Sequence, residues 1–116
     1  MKSLKKVQTY LLAECFNKLF IGGQFVDPID GEKFPTYYPA TGELLHELPQ
    51  GKANDVKEAI SAAENAWVEG TWADMSAADR AEIVFKMAQG IEDNLEMLSE
   101  IEAADVGKPY RQAAMV

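Results

Sequence analysis

The sequence predicts an α/β chain in which short β-hairpins come first and amphipathic helices follow. Three observations carry that expectation. Aromatic and β-branched runs broken by glycine or proline fill residues 19–48. After Asn54 the apolar period changes from two residues to about 3.6. The turn Tyr38-Pro39-Ala40-Thr41-Gly42-Glu43 joins two of the strand-like runs, with proline fixing φ at the first corner and Gly42 free to take positive φ.

In order along the chain, Leu4, Val7, Leu11, Cys15 and Leu19 recur at helical steps and predict a leading amphipathic helix. Its lysines lie mostly off that stripe, so it is expected to pack on its own protein, with Cys15 as a small apolar packing residue. Leu19-Phe20-Ile21 and Gln24-Phe25-Val26 flank Gly22-Gly23, the pattern of a tight two-residue hairpin. Asp27-Pro28-Ile29-Asp30-Gly31 breaks the chain before a third strand over Lys33–Tyr38. A fourth strand over Leu44–Leu48, closed by Pro49-Gln50-Gly51, completes what is expected to be one small antiparallel layer.

Beyond it, Asn54 or Asp55 is expected to cap a helix bearing Val56, Ala59, Ile60, Ala63 and Trp67 on one stripe, with Gly70 as the stop. Ser76 and Asp79 form a capping-box pattern for a helix carrying Ile83, Val84, Met87, Ala88 and Ile91. Asn94 is expected to cap a third helix with Leu95, Leu98 and Ile101, ended by Gly107 and Pro109. Lys108 complements the negative end of that helix. Tyr110–Val116 opens a further helical run without a terminating cap, so the sequence is expected to be an interrupted one.

With 116 residues, 47% apolar and 26% charged, the chain has the composition of one small globular domain. Its charge is divided. Residues 1–18 carry Lys2, Lys5, Lys6 and Lys18 against Glu14, a net of +3, whereas the rest holds 7 basic and 18 acidic residues, a net of −11. Such an acidic body argues against nucleic-acid partners. The single cysteine excludes an internal disulfide and fits a reducing compartment. No apolar run is long enough to cross a bilayer, and Val7–Ala13 is too polar and short for an export core. A cytoplasmic protein without a membrane partner is the expectation.

Read together, several ordered pieces carry a resemblance. They are Leu19-Phe20-Ile21-Gly22-Gly23-Gln24-Phe25-Val26-Asp27, Pro39-Ala40-Thr41-Gly42-Glu43, Asp55-Val56 with the alanine-rich helix to Trp72, Arg80-Ala81, Ile91-Glu92-Asp93-Asn94, and Glu102-Ala103-Ala104-Asp105-Val106-Gly107-Lys108-Pro109. This order resembles the opening section of the aldehyde dehydrogenase superfamily over about residues 19–116. Tyr38 departs from the asparagine usual before that proline, a residue able to tie down the turn where tyrosine is not. Residues 1–18 match no shared motif and stand as a basic, amphipathic N-terminal extension.

The resemblance implies an α/β fold larger than this chain, with a Rossmann-type NAD(P)-binding domain, a catalytic domain and an oligomerisation arm. Residues 19–116 would cover only the N-terminal β-hairpins and three amphipathic helices of the cofactor domain. It implies that the full-length protein oxidises an aldehyde to a carboxylic acid with NAD or NADP: a cysteine thiolate attacks the aldehyde carbon, hydride passes to NAD(P)+, and a glutamate-activated water releases the acid. No catalytic or cofactor-binding residue of that reaction is matched here, so the chain alone is expected to be inactive and to bind no NAD(P).

Cys15 lies in the unmatched leader without a His, Arg or glycine-rich turn beside it, which argues against a nucleophile. Gly22-Gly23 joins strand to strand, whereas phosphate cradles open helices. His46 has no partner at metal-ligand spacing and is expected to be an ordinary strand residue. The one site the resemblance carries over is a monovalent cation site for K+ or Na+, held by backbone carbonyls of Thr36 and Tyr37 and by Asp105. The implied partners are the remainder of the aldehyde dehydrogenase chain and, when complete, further copies in a homo-oligomer. The alternative is a stand-alone interaction module derived from that family. It is attractive because three apolar helix faces need a broader partner than four short strands provide.

Overall fold

The computed structural model describes residues 4–115. Helix α1 (Leu4–Tyr10) leads through a short 3-10 turn (Glu14–Phe16) into strands β1 (Leu19–Ile21), β2 (Gln24–Val26), β3 (Lys33–Tyr37) and β4 (Leu44–Pro49). Helices α2 (Ala53–Val68), α3 (Ala77–Asp93), α4 (Leu95–Val106) and α5 (Tyr110–Ala113) follow. The expected order of hairpins and then helices therefore holds.

The strands do not form one layer. β1 pairs only with β2 and β3 only with β4, giving two separate two-stranded antiparallel sheets among the described residues. The cause lies between them. Pro28 has no amide hydrogen to give, Gly31 donates back to the Pro28 carbonyl at 2.9 Å with φ at 65°, and the Ile29 amide is taken by Asp55. The chain is turned away before β3 can reach β2.

The leading helix also stops early. α1 ends at Tyr10 instead of running to Leu19, because Asn17 turns its side chain onto the carbonyls of Leu11 and Ala13. Cys15, expected on the apolar stripe, is exposed in the 3-10 turn and packs nothing away. Val7 and Leu11, from the same stripe, are buried at 3% and 4% exposure. They meet Tyr38, Leu45 and Ala104, with Leu4, Phe16 and Ile101 against them, so the core sits between α1, β4 and α4.

Tyr38 belongs to this core and not to the strand. Its backbone still holds the turn, accepting from Thr41 at 3.2 Å and Gly42 at 2.8 Å while its amide donates to Glu43. The Thr41 hydroxyl accepts from the Glu43 amide, so the turn is tied without the asparagine. Leu45 reaches the core through a bulge: Thr36 faces His46 and Tyr37 faces Leu44, leaving Leu45 as the extra residue between.

Helix caps follow local chemistry more than the sequence suggested. The first residue before α2 is Lys52, not Asn54 or Asp55. Asp55 sits one turn in, buried, and its carboxylate accepts from the Lys52 amide at 2.8 Å and the Ile29 amide at 2.9 Å. Those bonds, the Lys52 amide first, hold its carboxyl below the ordinary range. Its ionised form is therefore favoured by folding. That contribution is present above the ordinary carboxylate range and is lost as pH falls through the lowered value. Thermal melts should show Asp55→Ala less stable than wild type at neutral pH, with the gap closing in acid.

Ser76 caps α3 as expected, its hydroxyl accepting from the Asp79 amide at 3.1 Å. Asn94 works backwards: its amide group donates to the Gly90 carbonyl at 2.8 Å, closing α3 instead of opening α4. Lys108 pairs with Glu102 at 2.8 Å. α4 ends at Gly107 in the left-handed region, φ 71°.

Candidate functional site

Sequence patterns and core packing together leave two features that bear on function. The first is a hollow of about 150 Å³ enclosed by the leader, the bulged β3–β4 hairpin and α4. Leu11 and Phe16 form its leader side, Thr36 and His46 its strand side, and Asp105 its helix side. Thr36 and Asp105 are thus brought to one cavity. Tyr37, the next residue on β3, is not part of its wall and leaves its side chain 55% exposed.

The bulge between Thr36 and Tyr37 interrupts the regular ladder at the place where carbonyl ligands were expected. The Thr36 hydroxyl donates to the His46 carbonyl at 3.3 Å, which fixes the strand side. Among the described residues no group of three His, Cys, Asp or Glu side chains is placed to hold a metal ion. The expected donors were one carboxylate and main-chain carbonyls, a set suited to a hard cation and not to zinc or copper, whereas Leu11, Phe16, Leu45, Leu48 and Ile101 make most of the hollow's lining apolar.

His46 is more than an ordinary strand residue. Its Nε2 lies 3.1 Å from Asn17 Oδ1, and burial holds its imidazole below the usual range, with Lys33 acting the same way and Glu47 opposing. Sequence reasoning missed this pairing. Asn17 and His46 lie far apart in the chain, and neither sits in a motif.

The second feature is apolar surface. On α2, Val56, Ile60 and Trp67 are exposed at 54%, 54% and 64%, and on α3, Val84, Phe85 and Met87 at 57%, 75% and 65%. Two of the expected stripes are therefore real and uncovered. The radius of gyration is 17.1 Å. A compact globule of this length would be near 13 Å, so α2 and α3 extend away from the core rather than closing over it. Among the described residues no helix is long and apolar enough to cross a membrane.

Comparison with known proteins gives these features a context. The profile of the aldehyde dehydrogenase family matches residues 25–115. The chain is 41% identical to the mitochondrial benzaldehyde dehydrogenase of Antirrhinum majus over 101 residues, 87% of this chain and 19% of that protein. It is 43% identical to aldehyde dehydrogenase B of Escherichia coli over 95 residues, 82% of this chain and 18% of that protein. The NAD+ complex of a Bacillus cereus aldehyde dehydrogenase superposes with a TM-score of 0.86 at 41% identity, over 94% of this chain and 22% of that one. An NAD-dependent aldehyde dehydrogenase from Sinorhizobium meliloti gives 0.81 at 35% identity, over 84% and 20%. The chain spans about a fifth of the length of the relatives it matches, and corresponds to a short N-terminal segment of them.

Proposed function

The chain belongs to the aldehyde dehydrogenase family, and from that membership we propose that it supplies the N-terminal scaffold section of an NAD(P)-dependent aldehyde dehydrogenase. The whole protein would oxidise an aldehyde to a carboxylic acid, with NAD or NADP taking the hydride. Residues 19–116 are the family section in this reading, and residues 1–18 a leading extension. The observation that carries the proposal is the uncovered apolar face of α2 and α3 in a chain that matches about a fifth of its relatives. The remainder of the family fold is the partner that face awaits, and the complete protein would assemble as a homo-oligomer. A reducing compartment such as the cytoplasm suits the single cysteine.

Purified residues 1–116 should form no NADH or NADPH from any aldehyde. Aldehyde-dependent reduction of the cofactor by this chain would overturn the scaffold reading.

A site for K+ or Na+ is proposed at the rim of the hollow, with Asp105 supplying charge and the main-chain carbonyls of Thr36 and of Tyr37, the latter from outside the wall, supplying oxygens. A carboxylate and main-chain carbonyls are donors of the kind a hard cation takes, and the rest of the coordination would come from outside this chain or from water. Replacing a large organic cation by potassium at constant ionic strength should raise the melting temperature, and Asp105→Ala should abolish the rise. Equal melting in both salts would remove the cation from the account.

A second reading has its own support. The cluster of Val7, Leu11, Tyr38, Leu45 and Ala104 is complete within this chain, as a stand-alone interaction module would require. Such a module would melt cooperatively as a monodisperse particle, whereas a scaffold section would expose apolar surface to a dye.

A further inference from the structure

Three neighbours orient the side chain of Asn17. Its Nδ2 donates to the carbonyls of Leu11 and Ala13, both at 2.8 Å. Carbonyl oxygens only accept, so the amide is held one way round, and Oδ1 is left facing His46 Nε2 at 3.1 Å. An acceptor in that place requires a proton on Nε2. We propose that Asn17 is a latch that fastens the N-terminal segment to the β3–β4 hairpin and holds neutral His46 as its Nε2–H tautomer.

The latch has a second point of attachment. Gln8 of α1 donates through Nε2 to the Leu44 carbonyl at 3.0 Å. Gln8 and Asn17 therefore grip the residues on either side of Leu45, the bulged leucine that α1 buries. The same grip sets Leu11 and Phe16 against the hollow as its leader wall. The two ends of Asn17 do different work: Nδ2 closes the chain after α1, and Oδ1 reaches the sheet. The leading segment thus becomes part of the fold through polar side chains as well as through Val7 and Leu11. The latch stands whether or not a cation enters the hollow.

The test is nitrogen-15 NMR of the imidazole together with amide hydrogen exchange on residues 1–116, at a pH well above the imidazole range. The expected spectrum places the proton on His46 Nε2 and leaves Nδ1 unprotonated. Asn17→Ala should speed exchange in α1 and the following turn on the order of tenfold, the loss of a small hydrogen-bond set. Asn17→Asp keeps the acceptor for His46 and loses both donors, so the tautomer should persist while exchange rises. His46→Gln offers an amide donor to Asn17 Oδ1 and should exchange as wild type does. If Asn17→Ala unfolds the chain, the wild-type tautomer and the His46→Gln exchange decide the matter. A proton on Nδ1, an N-terminal segment that exchanges as free peptide in the wild type, or unchanged exchange in a folded Asn17→Ala would overturn the latch.

Discussion

Leu45→Ala should lower the stability of the chain by about 2–5 kcal/mol, the usual loss for truncating a buried leucine. Leu45 is 4% exposed and lies in one cluster with Val7, Leu11, Tyr38 and Ala104. It enters that cluster as the extra residue of a bulge, so its backbone is fixed by the Thr36 and Tyr37 pairings on either side and has little freedom to collapse into the vacancy. The loss therefore belongs in the upper part of that range. Urea denaturation followed by far-ultraviolet circular dichroism measures it as a lower midpoint. Phe85→Ala removes a larger side chain but one that is 75% exposed on α3. Its effect in this chain should stay within about 0.5 kcal/mol, as for other surface changes. A large loss at Phe85 and a small one at Leu45 would mean that the core had been placed on the wrong side of the molecule.

Gly70→Ala should destabilise the end of α2 by about 1–3 kcal/mol, the range for forcing extra volume into a filled position. A Cβ built on Gly70 would lie 2.0 Å from the Ala66 carbonyl oxygen, a backbone atom that cannot move aside alone. The last turn of α2 would have to unwind to admit it. Gly90→Ala should act in the opposite direction. Gly90 lies inside α3, where an added Cβ meets nothing within 4 Å. Alanine there relieves the entropic penalty of glycine and should stabilise by about 0.5–1 kcal/mol. Melting curves of the two variants should thus move apart from wild type in opposite senses. Two shifts of the same sign would contradict the backbone path between α2 and α3.

Much of the fold was legible because periodicity is a local property. Gly22-Gly23 and the Pro39–Gly42 turn marked the hairpins, and the stripes from Val56 to Trp67 and from Ile83 to Ile91 marked two helices. What those stripes could not convey is what they face. A stripe means that a surface needs covering, and here the covering strands make two separate hairpins that leave α2 and α3 open. Two of the expected caps failed for a related reason. Asp55 and Asn94 were read by their nearest helix start, yet Asp55 also binds Ile29 across the fold and Asn94 turns back to Gly90.

At the candidate site, Thr36 and Asp105 came from family resemblance, and the structure puts both on one hollow while Tyr37 stays outside its wall. His46 and Asn17 were invisible as a pair, because each is a common polar residue with no spacing rule to link them. Long-range pairing of that kind is decided by topology.

On the proposed reading, α2 and α3 present a face for further polypeptide of the same family fold. The direct measurement is the fluorescence of an apolar-surface dye with residues 1–116, before and after adding the remaining four-fifths or so of a family member in trans. The account expects strong dye fluorescence from the chain alone and its loss on mixing, as Ile60, Trp67, Phe85 and Met87 are covered. A chain that leaves the dye dark by itself, or dye fluorescence that persists after mixing, would contradict it.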